Sequence, residues 1–149
     1  MAVTKIFPLF DKDRILFLDF DNKKDVINAM IEASAACVND IEGFRESVFS
    51  REAIVSTGIG HGFGIPHVKN SFVPEFFITV AIMKNGVDWD SLDNQPVYVA
   101  FLIGGPENSQ NTYLSILSKI SLIIKNPASK QKLLEADSSE KILDFFRKF

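Results

Sequence analysis

The apolar residues fall into two kinds of run, and the alternation between them sets the fold class. Phe76 to Met83 and Val97 to Ile103 are nearly unbroken apolar stretches; Pro74 and Asn85-Gly86 bound the first, and Gly104-Gly105-Pro106 closes the second. Runs of this length, rich in aromatic and β-branched residues, predict strands covered on both faces. Ile15 to Leu18 predicts a shorter strand. Elsewhere the spacing is helical. Asp21 or Asn22 can cap a helix with Asp25 in its first turn. Val26, Met30, Ala33 and Cys37 recur on one face of it, widened by Ile27, Ile31 and Val38. Cys37 is expected there as a packed, unreactive thiol. Gly43 precedes a second helix over Phe44 to Phe49, ending near Arg51-Glu52. A third, capped by Asn108 or Ser109, carries Leu114, Leu117, Ile120 and Ile124, with Ile116 and Ile123 beside them. Asn126-Pro127 marks a stop and a restart into a short helix bearing Leu133 and Leu134. Ser138 or Ser139 begins the last helix, with Ile142, Leu143, Phe145 and Phe146. Met1 to Arg14 predicts an irregular docked segment around Pro8, and Asp88 to Gln95 a polar connection. Strands interspersed with helices predict one α/β layered domain over residues 1–149.

Composition narrows the function classes. Hydrophobic residues make up 46% and charged residues 23%, ordinary for a globular protein, and fourteen phenylalanines point to a core of large rings. The net charge is −3 with no basic block, which argues against nucleic-acid binding by phosphate neutralisation. A single cysteine rules out an intrachain disulfide framework and fits a reducing compartment. The N-terminus lacks signal-peptide character, and no apolar run approaches the roughly 18–20 residues of a membrane span, so a cytoplasmic protein without membrane insertion is expected.

The candidate chemistry lies between the second helix and the first long strand. Ser56-Thr57-Gly58-Ile59-Gly60-His61-Gly62-Phe63-Gly64-Ile65-Pro66-His67 holds four of the eight glycines, one of the six prolines and both histidines. Crowded glycines predict a mobile, accessible loop, and Pro66 gives His67 a stiff mount. Three readings of His67 stand. It is a surface-loop histidine without a task, a metal ligand together with His61, or a nucleophile. The separation of His61 and His67 is not the i, i+4 spacing of helical zinc pairs, and neither a cysteine nor a third ligand lies nearby. A neutral imidazole at ordinary pH has a lone pair ready for covalent catalysis. Main-chain N–H groups around Gly62 and Gly64 can cradle phosphate oxygens, and Arg51 can pair with a phosphoryl charge. No Walker lysine follows the glycines, so this is not an ATP-binding loop.

Arg51-Glu52, Ser56 to Gly60 and Gly62 to His67 resemble the active-site region of the type-2 enzyme IIA domains of the bacterial phosphoenolpyruvate-dependent phosphotransferase system. Asp21 to Ile27 resembles that family's first helix, and Asp93-Asn94-Gln95-Pro96-Val97 followed by an apolar strand and Pro106 resembles a later strand. The likeness extends over residues 5–147. It implies a mixed β-sheet flanked by helices and a phosphocarrier that needs no cofactor. His67 would accept a phosphoryl group from the phosphohistidine of an HPr-type carrier and pass it to a cysteine of a IIB domain, or act through a regulatory target protein, with Arg51 beside the phosphate. Stand-alone length and the Asp93–Val97 segment favour the nitrogen-regulatory branch over the fructose and mannitol branches.

Three positions depart from the family pattern. Tyr113 stands where a second active-site histidine is common; it can donate a hydrogen bond to phosphate, or be a half-buried ring with a surface hydroxyl, but it cannot carry an imidazolium charge. Gly64 replaces an alanine and Val68 a very small residue. Ile59, Phe63, Ile65, Val68 and Phe72 are expected as an apolar docking surface or, for Ile65 above all, as core. Ser56 and Thr57 bond the phosphate or stabilise the turn.

Overall fold

The computed structural model describes residues 5–149. In chain order the strands are β1 (Ile15–Phe17), β2 (Gly58–Gly60), β3 (Phe63–Gly64), β4 (His67–Lys69), β5 (Phe77–Val87) and β6 (Val97–Gly105). The α-helices are α1 (Lys23–Ala33), α2 (Ile41–Ile54), α3 (Gln110–Lys125), α4 (Pro127–Glu135) and α5 (Ser139–Phe146). Every strand joins one mixed sheet. β5 and β6 form its antiparallel centre, β1 runs parallel to β5, β3 and β4 lie in succession along the far edge of β6, and β2 pairs antiparallel with β3.

The two central strands are covered on both faces, as their unbroken apolar runs predict. Along β5, Ile78, Val80 and Ile82 face α3, α4 and α5, packing with Ile116, Ile120, Ile142 and Phe146. The alternate residues Phe77, Ala81 and Met83 face α1 and α2, against Val26, Met30, Phe44 and Val48. This period-2 division is what lets one strand serve two cores. Each such side chain, removed from water, contributes roughly 1.5–3 kcal/mol before ordering costs.

Local signals fix the helix ends. Asn22 caps α1 by accepting from the Asp25 N–H at 2.9 Å, Asp40 caps α2, Asn126 caps α4 ahead of Pro127, and Ser138 caps α5. Four expectations are corrected. β5 does not stop at Asn85-Gly86 but runs to Val87, because Gly86 at φ +77 absorbs a register shift against β6. α1 ends at Ala33, so Cys37 lies on a following 3₁₀ turn, half-buried, with burial pushing its thiol pKa up. The packed face of α3 is Tyr113, Ile116, Ile120, Ile123 and Ile124, while Leu114 is 52% exposed. The glycine-rich stretch is not a loose loop. It is the three short strands β2, β3 and β4, and Gly62 and Gly64 are buried within it.

Candidate active site

His67 opens β4, where Pro66 directs the chain out of β3 and onto the C-terminal half of β6, opposite Ile103. The ring is half-buried, and its Nδ1 lies 2.6 Å from the carbonyl oxygen of Ile65. A carbonyl can only accept, so Nδ1 carries the proton and Nε2 keeps the lone pair. Burial holds the imidazole below its usual pKa; the Arg51 charge acts in the same direction, while the Ile65 hydrogen bond and the Glu52 carboxylate oppose it. The ring is therefore neutral at physiological pH.

Strand alternation places His67 and Lys69 on one side of β4 and Val68 on the other, against the α1/α2 core. Tyr113, from the first turn of α3, stands 5.9 Å from the His67 ring, centroid to centroid, at 47°. Its ring also stacks on Phe76 and lies under the Lys69 ammonium, which bonds Gln110. Burial pushes the Tyr113 phenol up to about 12, with Arg51 pulling the other way. Arg51, in the last turn of α2, donates to the Val55 carbonyl at 3.1 Å and projects its charge onto both rings. His67 and Tyr113 are thus brought together from β4 and α3, and Arg51 on α2 lies near enough for its charge to act on both rings.

The glycines are placed elsewhere. Gly64 pairs with Ala100, three residues before the partner of His67 on β6, or about 10 Å along the strand. A Cβ on Gly64 would meet the Trp89 ring 2.9 Å away, and one on Gly62 would meet the Lys130 side chain at 2.8 Å. These residues are bare so that neighbouring side chains can close over them. His61, at φ 58, tips the β2–β3 turn beside Tyr98, at the opposite end of β6 from Ile103. The two histidines are not brought together, and among the described residues no group of three or more His, Cys, Asp or Glu gathers as a metal site.

Ser56 donates to the Trp89 carbonyl at 2.6 Å, and Thr57 spends both its N–H and its hydroxyl on Glu52, each at 2.7 Å. Of the expected docking residues, Ile59 is 45% exposed, Val68 and Phe72 are half-buried, and Phe63 is 1% exposed with its ring stacked on Phe101. Phe63 is core, and Ile65 is buried as well. Glu52 was legible only as half of an Arg-Glu pair. That its carboxylate is buried, bonded to Thr57 and paired with Lys23 at 2.6 Å, depends on tertiary packing.

A cavity of about 650 Å³, lined by Lys23, Phe49, Glu52, Ile54, Val55 and Ser56 among others, does not include His67. The model of the family described as "Phosphoenolpyruvate-dependent sugar phosphotransferase system, EIIA 2" matches residues 8–149. The chain belongs to this family. A fructose-specific EIIABC component of Bacillus subtilis is 37% identical over 143 residues; the match takes in 94% of this chain and 22% of that relative, so the chain spans about a fifth of its length. Nitrogen regulatory protein IIA-Ntr of Neisseria meningitidis has the same fold, with TM-score 0.89, 23% identity and coverage of 95% of this chain and 98% of that one. Enzyme IIA for mannitol of Escherichia coli, solved in complex with phosphorylated enzyme IIB, superposes with TM-score 0.81 at 12% identity, covering 94% of this chain and 98% of that chain. The IIA relatives thus include both sugar-specific and regulatory proteins. No helix among the described residues is long and apolar enough to cross a membrane.

Proposed function

We propose that His67 is the transient carrier of a phosphoryl group, taken from the phosphohistidine of an HPr-type protein and passed to a IIB cysteine or held as a regulatory signal. The observation that carries this reading is the hydrogen bond from Nδ1 to the Ile65 carbonyl, which leaves Nε2 as the nucleophilic nitrogen, within reach of the Arg51 charge. The Nε2 lone pair attacks phosphorus in line, forming an N–P bond as the donor's N–P bond breaks and its imidazole takes the electron pair. Arg51 offsets the negative charge on the equatorial oxygens, and the Tyr113 phenol, its pKa pushed up to about 12, supplies a donor where an imidazolium would otherwise stand. Transfer onward reverses the geometry with a thiolate as nucleophile. No metal or organic cofactor enters these steps.

The test is intact mass under alkaline conditions after incubation with phosphoenolpyruvate, enzyme I and HPr. One phosphoryl adduct is expected on the wild type and none on His67→Ala; an adduct retained in the variant would move the site. A second reading, a regulator that binds targets without obligatory transfer, is favoured by Tyr113, which lacks the charge of a second imidazole. It requires target binding indifferent to His67→Ala and no adduct from any HPr-type donor.

A further inference from the structure

Glu52 is a buried carboxylate that no step above uses, although its charge is felt at His67. Its side chain is 5% exposed, yet Oε1 accepts the Thr57 hydroxyl at 2.7 Å, Oε2 accepts the Thr57 N–H at 2.7 Å, and Lys23 Nζ lies 2.6 Å from Oε2. A charge taken out of water at that depth costs several kcal/mol unless it is fully paired, so an arrangement this complete holds its partners firmly. Its hydrogen bonds continue in one direction. The Thr57 carbonyl accepts the Ile65 N–H at 3.0 Å, and the Ile65 carbonyl accepts the His67 Nδ1–H at 2.6 Å. Trp89 closes the other side, its indole N–H reaching the Thr57 hydroxyl at 3.3 Å and its carbonyl accepting from Lys23 at 3.2 Å.

We infer that Glu52 is a positioning residue: through Thr57 and Ile65 it fixes the carbonyl that selects the Nδ1–H tautomer of His67 and aims Nε2 at the incoming phosphorus. The inference rests on the phosphocarrier reading for its kinetic consequence, but its structural content belongs to the free protein. β6 holds the neighbouring Pro66 carbonyl, which accepts the Ile103 N–H at 3.0 Å, while on the other side the pairing of Gly58 with Gly64 and of Gly60 with Phe63 brings mostly bare backbone. A two-pronged carboxylate at Thr57 supplies what those glycines cannot. Lys23 completes it by balancing the charge, so α1, α2, the residue leading into β2 and the start of β4 meet in one network.

The experiment is ¹⁵N NMR of the His67 ring in the unphosphorylated protein, alongside steady-state phosphoryl acceptance from HPr charged by enzyme I. Glu52→Gln keeps size and one acceptor but turns a donor toward Thr57. The wild-type ring is expected as the Nδ1–H tautomer alone. Glu52→Gln is expected to show a mixture of both tautomers, with kcat reduced about 10–100-fold and KM for phospho-HPr unchanged. Glu46→Gln, the same charge change on an exposed position of α2, is expected to match wild type. Thr57→Val, which removes only the hydroxyl prong, decides the matter if Glu52→Gln does not fold, and Thr57→Ser is expected to restore the single tautomer. A single Nδ1–H tautomer with unchanged kcat in Glu52→Gln, or in Thr57→Val if that variant must stand in, overturns the inference. If instead the wild type accepts no phosphoryl group from any donor, the carrier reading falls while the tautomer measurement still decides the role of Glu52.

Discussion

β3 and β4 are two halves of one interrupted strand, parallel to the same neighbour, yet they have opposite characters. Phe63 and Gly64 are buried, one ring against Phe101 and one bare backbone under Trp89. Past Ile65-Pro66, His67, Val68 and Lys69 are all half-exposed, and the His67 ring looks onto Tyr113. The first half is held in place by side chains that close over it; the second half presents side chains to whatever approaches. Rigidity and exposure are thus separated by about 10 Å along one strand line. The difference teaches that the glycines build the mount and leave the proposed chemistry to side chains beyond Pro66.

The largest expected effect comes from breaking the mount. Phe63→Ala empties a core position and should cost about 3–5 kcal/mol of stability, lowering the thermal midpoint by roughly 2–4 °C per kcal/mol. Circular dichroism melts give that number. At a temperature where the variant remains folded, phosphoryl acceptance should stay within about threefold of wild type, since the β6 partner of Phe63, Val99, lies four residues, or about 13 Å, before that of His67. A loss of transfer as deep as the loss of stability would mean the two halves are not separable.

The reactive end should answer in the opposite way. Arg51 is half-exposed and holds one backbone carbonyl, Val55, so Arg51→Ala should change stability by no more than about 0.5 kcal/mol. Its charge nevertheless reaches both His67 and Tyr113. Rapid-quench kinetics should show phosphoryl acceptance slowed about 100-fold, equivalent to roughly 2.7 kcal/mol on the barrier. Equal rates in wild type and variant would remove Arg51 from the site.

The same contrast explains what could be seen in the sequence. β5 and β6 announce themselves because long apolar stretches, broken in β5 only by Thr79, admit few other structures, and the caps at Asn22, Asn126 and Ser138 are local chemistry. The fixed mount of position 67 was legible because a proline directly before it is a compact local signal, and Pro66 does lead the chain into β4. Residues 56–64 were not. Glycine has no hydropathy with which to signal a face, so the two short strands β2 and β3 look like a flexible loop, and Phe63 looks available for docking. Trp89 sits in a polar stretch, Asp88 to Gln95, that gives no hint of its complete burial. Gly86 resembles a turn residue but lies inside β5, because a positive φ serves a register shift as well as a turn. The length of α3 followed from its sequence, but Leu114 shows that an apolar residue near a stripe need not belong to it.

Tyr113 sharpens the comparison at its finest grain, because it packs like the first half of the strand and faces the second. Its ring is 7% exposed and stacked on Phe76, so Tyr113→Phe leaves the packing intact and removes one hydroxyl. A donor to a phosphoryl oxygen is worth about 1 kcal/mol net, so acceptance should slow roughly fivefold, with an unchanged melting temperature. The pH profile separates this from other causes. As pH falls through the His67 midpoint, which burial sets below the ordinary value, Nε2 takes a proton and both rates drop together. On the alkaline side the phenol titrates only near about 12, so the ratio of the two rates should hold constant from about pH 6 to about pH 9. A ratio that closes toward one as pH rises would show the hydroxyl ionising in the working range, and the donor role would fail with it.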